Sequence, residues 1–395
     1  MTDLSATKRA SPVKRQRPES LTARALDRDS FLRRLDWVML AAVAILCVMG
    51  LALVWAATKP QGASSSYVKK DVLDIVIGLI LAVVAASIDY RTLRAYTPIL
   101  YGASVLGLLV VLSPLGGRIN GAHSWIILPG GFEIQPSEFA KVAVILGMAF
   151  LLSEKRDSRP EPTNQDAWLC LAFAAVPVLL ILAQPDVGSI MVFGFIIFGM
   201  IALSGISAKW IFGMILFAVV GSLLIDHLHL LKQYQLDRFT AFTHANSAQS
   251  SSSFGYNVQQ ARIAIGHGGI FGQGLGHGTQ TQGQFVPEQQ TDFIFSVAGE
   301  ELGLVGSGLI VLLSGVVLAR ALRIARLAED RFGMLVAVGI VCWFGFQIFE
   351  NIGMNLGIMP ITGLPLPFIS YGGTSMFASM IAIGLLQNVQ IRSAR

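Results

Sequence analysis

The run WVMLAAVAILCVMGLALVWAA, residues 37–57, carries no charged residue. An α-helix rises about 1.5 Å per residue, so about 20 apolar residues cross the roughly 30 Å of a bilayer's hydrocarbon core. This run has that length, and comparable runs follow near 72–88, 95–114, 137–153, 167–183, 187–204, 209–226, 292–319, 332–350 and 371–390. With 53% hydrophobic residues, 13% charged residues and a mean hydropathy of +0.63 over 395 residues, the chain has more apolar surface than a soluble core uses. The expectation is an all-α polytopic membrane protein of about ten transmembrane helices spanning 37–390, in which the first run is an anchor that stays. A large extracytoplasmic loop, 227–291, joins the seventh helix to the eighth, and 391–395 is a short cytoplasmic C-terminus.

Residues 1–36 are polar and basic, a tail that cannot bury a core and whose charges suit anionic lipid headgroups. All but eight of the 29 lysines and arginines then fall on one side of the membrane, the exceptions being Lys59, Lys69, Lys70, Arg118, Lys141, Lys232, Arg238 and Arg262. The positive-inside rule makes the basic side cytoplasmic and puts both termini there, with the Lys59, Lys69 and Lys70 group as its awkward member. This distribution accounts for the pI of about 9.2 without nucleic acid. Cys47, Cys170 and Cys342 lie inside apolar runs, so no disulfide or zinc site is expected, and His244, His267 and His277 lack metal-ligand spacing.

The assigned topology collects the unusual loops on the outer face. Residues 116–141 mix turn residues with Trp125 and Ile126 and read as a segment dipping into the membrane interface. Gln184-Pro185-Asp186-Val187-Gly188 is a tight turn that leaves Asp186 at a helix N-terminus, where a capping role and a functional one weigh about equally. Gly266–Gly278 is dense in glycine, which suits a plain flexible loop or a backbone cradle for a diphosphate, the former about twice as readily. Residues 351–373, with Pro360, Pro365 and Pro367 and without charge after Glu350, read as a stiff re-entrant loop.

Ionisable groups within membrane helices cost at least a few kcal/mol each and usually face a cavity or a partner. Here they are Glu138, Lys141, Asp186, Asp292, Glu300, Glu301 and Glu350. Most cluster toward the outer boundary over an apolar inner half, which favours chemistry on a lipid-borne substrate over transport, where polar groups sit at the midplane. Asp292 follows Thr291 where polar loop becomes apolar helix, placing it as a general base, with an ordinary first-turn aspartate at even odds. Glu300 and Glu301, about 12 Å deeper on one continuous helix, read as buried structural partners of Lys141 or Arg262, and Glu350 as a third structural charge. Lipid-diphosphate chemistry would use arginine or lysine to hold the leaving group.

Five motifs in one order then carry a resemblance. They are Asn120–Ile126 with Gln135–Glu138, Gln184–Gly188, Thr291–Phe295, Glu300–Gly303 and Ile369–Gly373, and together they are similar to the SEDS family of shape, elongation, division and sporulation proteins. Asn351–Gly357 with Pro360–Pro367 resembles the elongation-type (RodA) branch more than the division-type (FtsW) branch. The resemblance implies a peptidoglycan glycosyltransferase that polymerises lipid II on the outer face of the cytoplasmic membrane, releases undecaprenyl diphosphate, and works with a class B penicillin-binding protein as transpeptidase. It implies that Asp292 is the essential aspartate, activating the acceptor 4-hydroxyl, that Trp125 is an aromatic needed for activity, and that Lys141 and Glu138 line the outer cavity. Charge and side extend the substrate-binding set to Arg262, Arg238 and Asp186. His123-Ser124 and Gln290 depart from the family pattern, where a basic residue and a histidine are common. No metal site or certain cofactor is implied, and assistance by magnesium or manganese stays open. The competing readings are a lipid II flippase and a non-enzymatic scaffold for the transpeptidase.

Overall fold

The structure, a computed structural model, describes residues 31–114, 116–119, 122–128, 132–154, 162–227 and 253–393. The expectations for residues 1–30 and for 228–252, Arg238 included, fall outside these residues. The helices are α1 (Trp37–Thr58), α2 (Ser64–Ser87), α3 (Tyr90–Leu112), α4 (Pro136–Ser153), α5 (Asn164–Ala183), α6 (Val187–Leu203), α7 (Ala208–His227), α8 (Ser253–Gly268), the short α9 (Thr279–Gln282), α10 (Ile294–Glu301), α11 (Gly303–Leu327), α12 (Arg331–Leu356) and α13 (Gly373–Ser393). Among the described residues, seven helices are long and apolar enough to cross a membrane: α1, α3, α4, α5, α11, α12 and α13. Val187–Leu203 and Ala208–Gly221 are shorter apolar helices, while α2 has the length but carries Lys69, Lys70, Asp71 and Asp74 in its first half.

Helix ends are fixed by the residues that precede them. Asp36 accepts from the Met39 amide at 3.0 Å and holds Arg320 Nε at 2.7 Å, which binds the start of α1 to α11. Asp330 caps α12 through the Gly333 amide at 2.7 Å, and Thr163 with Asp166 forms a capping box on α5. Of the seven long apolar helices the most enclosed are α12, α4 and α13, and small residues set how closely the others approach them. A Cβ on Gly384 of α13 would meet the Ala82 carbonyl of α2, and one on Gly339 of α12 would meet Ile145 of α4 at 2.8 Å.

Three features depart from the sequence reading. Residues 116–134 contain a three-stranded antiparallel sheet, β1 (Gly116–Ile119), β2 (Ala122–Leu128) and β3 (Phe132–Ile134), in the order β1-β2-β3 with Trp125 opposite Gly117 and Ile127 opposite Glu133. The all-α expectation therefore gains a small sheet.

The single helix expected over 292–319 is broken. Chain direction changes at Leu302, and Gly303 has φ +65°, a left-handed conformation that glycine adopts without strain. Broken helices strand backbone groups, and within a membrane protein those groups must find partners inside the fold. The glycine-rich loop supplies them: Leu304 and Val305 amides donate to Gly269 and Ile270 carbonyls at 2.9 and 3.0 Å, and Gln273 and Gly274 amides donate to Glu300 and Glu301 carbonyls at 3.0 Å each.

Glu300 and Glu301 correct the third expectation. Their carboxylates meet neither Lys141 nor Arg262 but the loop that follows Gly274. Glu300 accepts from the Gln280 amide (2.7 Å), the Thr281 amide (2.9 Å), Thr281 Oγ1 (2.7 Å) and Thr279 Oγ1 (3.2 Å). Glu301 accepts from the Gly276 amide at 2.9 Å and the Gly278 amide at 3.4 Å. The anions these loop amides bind are the protein's own carboxylates. Glu350 is fully buried in α12.

Residues 357–372 form the irregular segment expected, and it enters the bundle. Leu364, Leu366, Phe368 and Ile369 are buried, and Phe368 meets Phe344 edge-on with centroids 5.5 Å apart. Side-chain amides on α12 satisfy its backbone: Gln347 Nε2 donates to the Pro365 carbonyl and Asn351 Nδ2 to the Leu364 carbonyl, each at 2.7 Å.

Candidate active site

At the end of the bundle where α1, α3 and α12 finish and α2, α4, α6 and α13 begin, a cavity of ≈ 670 Å³ opens. Its walls come from chain segments far apart in sequence: Tyr67, Lys70 and Asp74 of α2, Trp125 of β2, Glu133 and Gln135, the Asp186 turn, Glu288, Gln290, Thr291 and Asp292, Thr362 and Gly363, and Tyr371 to Gly373.

Asp292 sits in a turn ahead of α10, its amide donating to the Glu288 carbonyl at 3.1 Å. Two asparagines one helical turn apart on α12 fix its backbone. Asn351 Nδ2 and Asn355 Nδ2 donate to the Asp292 carbonyl at 2.9 and 3.2 Å, while Asn355 Oδ1 receives the Ser296 amide at 3.1 Å. Ser370 Oγ donates to the Thr291 carbonyl at 2.6 Å, and the Tyr371 amide to the Gln290 carbonyl at 3.0 Å. The carboxylate is thus carried on a rigid backbone into a space that Gly363 leaves open. A Cβ on Gly363 would lie 3.2 Å from Asp292 Oδ2, and Gly363 has φ +77°. Gly363→Ala is therefore expected to strain the loop by about 1–2 kcal/mol and to displace the carboxylate, lowering turnover by about tenfold. Turnover measured on variant and wild type at equal melting temperature would check it, and an unchanged rate would show that this contact does not position Asp292.

The other sequence-derived residues separate into two groups. Trp125 is half-buried on the cavity wall. Asp186 also lines the wall but is engaged as the cap of α6, accepting from the Ser189 amide at 3.0 Å, Ser189 Oγ at 2.8 Å and Gln135 Nε2 at 3.1 Å. Lys141 and Glu138 are not among the lining residues. Lys141 is fully buried, bonded to Glu138 Oε1 at 2.7 Å and Gln347 Oε1 at 3.2 Å, with Trp343 4.7 Å away beneath the ammonium. The ion pair lies within α4, and the Lys141–Gln347 bond joins it to α12 as a strut of the bundle. Arg262 is exposed on α8, its stem packed on Gly357, and does not reach the cavity.

Tyr67, Lys70, Asp74 and Tyr371 were missed in the sequence. Their signal was the lysine group that violated the charge asymmetry. Lys59 is explained by the Gly276 carbonyl at 3.1 Å and the Trp55 ring at 5.4 Å, and Lys70 by its place on the cavity wall. Tyr67 and Tyr371 pack edge to face with centroids 5.1 Å apart, and a Cβ on Gly373 would lie 2.9 Å from Asp74 Oδ2. Among the described residues no group of three His, Cys, Asp or Glu side chains is arranged to hold a metal ion.

The family model FTSW_RODA_SPOVE, described as cell cycle protein, matches residues 33–395. A probable peptidoglycan glycosyltransferase FtsW of Geobacter metallireducens is 37% identical over 362 residues, which are 90% of this chain and 94% of the relative. The peptidoglycan glycosyltransferase MrdB of Escherichia coli is 35% identical over 355 residues, 90% of this chain and 93% of that one. Among solved structures, a peptidoglycan synthase complex in which polymerization and crosslinking are coordinated contains a chain that matches with TM-score 0.76 at 29% identity, covering 91% of this chain and 99% of that chain. Thermus thermophilus rod shape determining protein RodA matches with TM-score 0.66 at 27% identity, covering 91% and 98%.

Proposed function

This chain belongs to the FtsW, RodA and SpoVE family of cell cycle proteins, and from that membership and the cavity we propose its reaction. It is a multi-pass membrane protein and a peptidoglycan glycosyltransferase of the SEDS type. The reaction we assign is polymerisation of lipid II on the outer face of the cytoplasmic membrane, both termini being cytoplasmic. The acceptor's sugar hydroxyl attacks the anomeric carbon of the donor. A C–O bond forms, the bond from that carbon to the diphosphate breaks, and undecaprenyl diphosphate leaves. Asp292 takes the hydroxyl proton, and Trp125 offers its ring face to a sugar.

The observation that carries this reading is the hold on Asp292: Asn351 and Asn355 fix its carbonyl, Ser370 fixes its neighbour, and Gly363 clears the space around its carboxylate. A helix cap needs no such support from two other segments. The protein has no three-ligand metal cage among the described residues. A magnesium or manganese ion assisting the reaction would therefore travel with the substrate diphosphate, held by it and by one or two carboxylates.

Elongation is the cellular role assigned, on the Asn351–Pro367 sequence. Relatives named for FtsW and for MrdB match at 37% and 35%, so similarity alone does not divide the two branches. A class B penicillin-binding protein is the proposed partner, in keeping with the synthase complex whose chain this fold matches. The test is incubation of purified lipid II with the purified protein and its transpeptidase, with an Asp292→Asn preparation purified in parallel to expose contaminating polymerase. Glycan chains from the wild type alone are the expected result. Translocation of lipid II across vesicles by both proteins, without polymer from either, would replace this reading with transport.

A further inference from the structure

We propose that Gln347 is a positioning residue for Asp292, holding the 362–365 segment against its carboxylate, and that the buried Lys141–Glu138 pair orients the Gln347 side chain; the inference rests on the reaction assigned above. Gln347, Asn351 and Asn355 recur every four residues on α12, which puts their side chains on one stripe, and all three are fully buried. Each carboxamide nitrogen donates to irregular backbone: Gln347 to the Pro365 carbonyl, Asn351 to the Leu364 and Asp292 carbonyls, and Asn355 to the Asp292 carbonyl. Asn351 and Asn355 thus grip the backbone of the base itself. Gln347 grips the segment that faces its carboxylate: Gly363, two residues before Pro365, is where an added Cβ would lie 3.2 Å from Asp292 Oδ2, and Thr362, Gly363 and Pro365 all line the cavity.

A carboxamide has nearly the same shape with its oxygen and nitrogen exchanged, so the groups around it decide which atom points where. Two donors meet Gln347 Oε1, the Trp343 indole at 2.7 Å and the Lys141 ammonium at 3.2 Å, and neither of them can accept a hydrogen bond. Nε2 is therefore turned toward the Pro365 carbonyl, to which it donates at 2.7 Å. Glu138 Oε1, 2.7 Å from Lys141 Nζ, fixes the ammonium in that place. Burying such a pair gains little stability over apolar side chains of the same volume. The register it imposes on Gln347 accounts for its presence. Neither Gln347 nor the pair lines the cavity, so their influence on the reaction passes through the 362–365 segment and not through contact with substrate.

The test is a double-mutant cycle on glycan polymerisation by the full chain with its transpeptidase, with kcat and KM for lipid II measured separately and well below each protein's melting temperature. Gln347→Met, close in length but unable to make these bonds, is expected to lower kcat by about tenfold and to leave KM within about twofold of wild type. Gly363→Ala disturbs the same segment, so the two losses should not multiply: the double variant should lose about 10–30-fold where independent sites would lose about 100-fold. Trp343→Phe removes one donor to Gln347 Oε1 and keeps a ring beneath Lys141. It should lower kcat by about threefold at unchanged KM, and it carries the test if Gln347→Met does not fold. A wild-type kcat in these variants, a loss that lies wholly in KM, or losses that multiply would each overturn the proposal. A wild type that polymerises lipid II beside a Gln347→Met of equal kcat would overturn Gln347 alone, whereas a wild type that makes no polymer would overturn the assigned reaction and this inference with it.

Discussion

Asp292→Asn is expected to lower the rate of glycan polymerisation by about 10²–10⁴-fold, the usual contribution of a general base, with little change in melting temperature. Asparagine has the shape of aspartate but cannot take a proton from the acceptor hydroxyl. The groups that hold the turn bond to the backbone of residues 290–292, not to this side chain: Asn351 and Asn355 to the Asp292 carbonyl, Ser370 to the Thr291 carbonyl and Tyr371 to the Gln290 carbonyl. The substitution therefore leaves these backbone bonds in place. Initial rates on purified lipid II, read as glycan on a gel, together with thermal unfolding of both proteins, make the comparison. A rate within a few-fold of wild type would remove Asp292 from the chemistry and pass the role of base to another carboxylate on the wall, Asp74 or Glu133 before Asp186, whose oxygens are taken up in capping α6.

That Asp292 was legible in the sequence, and Lys70 was not, has a physical reason. Asp292 stands at a polar-to-apolar boundary, a discontinuity that one-dimensional reading detects. Lys70 stands four residues before Asp74 in a helix whose partner residues come from β2, the 362–365 segment and the start of α13, and nothing local says which of Lys59, Lys69 and Lys70 faces inward. The same limit misplaced Lys141 and Glu138. Charges within apolar runs do signal a special environment, but the sequence cannot tell a cavity wall from a buried ion pair, and here Trp343 and Gln347, some 200 residues away, close over the pair. The break at Leu302 was hidden for another reason. Apart from Asp292, Glu300, Glu301 and three serines, residues 292–319 are apolar or glycine, so hydropathy carries no mark of a turn whose stranded amides are satisfied by a loop about 35 residues earlier. The strands of 116–134 are three to seven residues long and interrupted by glycine and proline, too short for alternation to declare itself.

Glu300→Gln, in α10, is expected to destabilise strongly the loop that leads to Asp292. The Glu300 carboxylate is fully buried and all four of its contacts are donors, two on each oxygen. A glutamine keeps one acceptor oxygen and turns an NH₂ toward the donors that faced the other, so two charge-assisted hydrogen bonds are lost and a donor is set against donors. At about 1.5–3 kcal/mol for each bond to a charged group, the cost is about 3–6 kcal/mol. Glu301→Gln should cost less, about 1–2 kcal/mol, since of the backbone amides Glu301 accepts from Gly276 and Gly278, the second at 3.4 Å. The effect should also reach the chemistry. Gln289 Nε2 donates to the Thr281 carbonyl at 3.1 Å and to the Ala57 carbonyl at 2.7 Å, so the segment Glu300 holds is fastened to the turn that carries Asp292. Hydrogen exchange of the amides from Gly276 to Thr281, read beside the melting temperature and the turnover rate, separates the steps. Fast exchange in that segment with reduced turnover in Glu300→Gln, and a smaller change in Glu301→Gln, is the expected pattern. Exchange unchanged from wild type would mean that the amides of this loop are held by something other than the two carboxylates, and that the break in the helix at Leu302 serves no purpose in bracing the site.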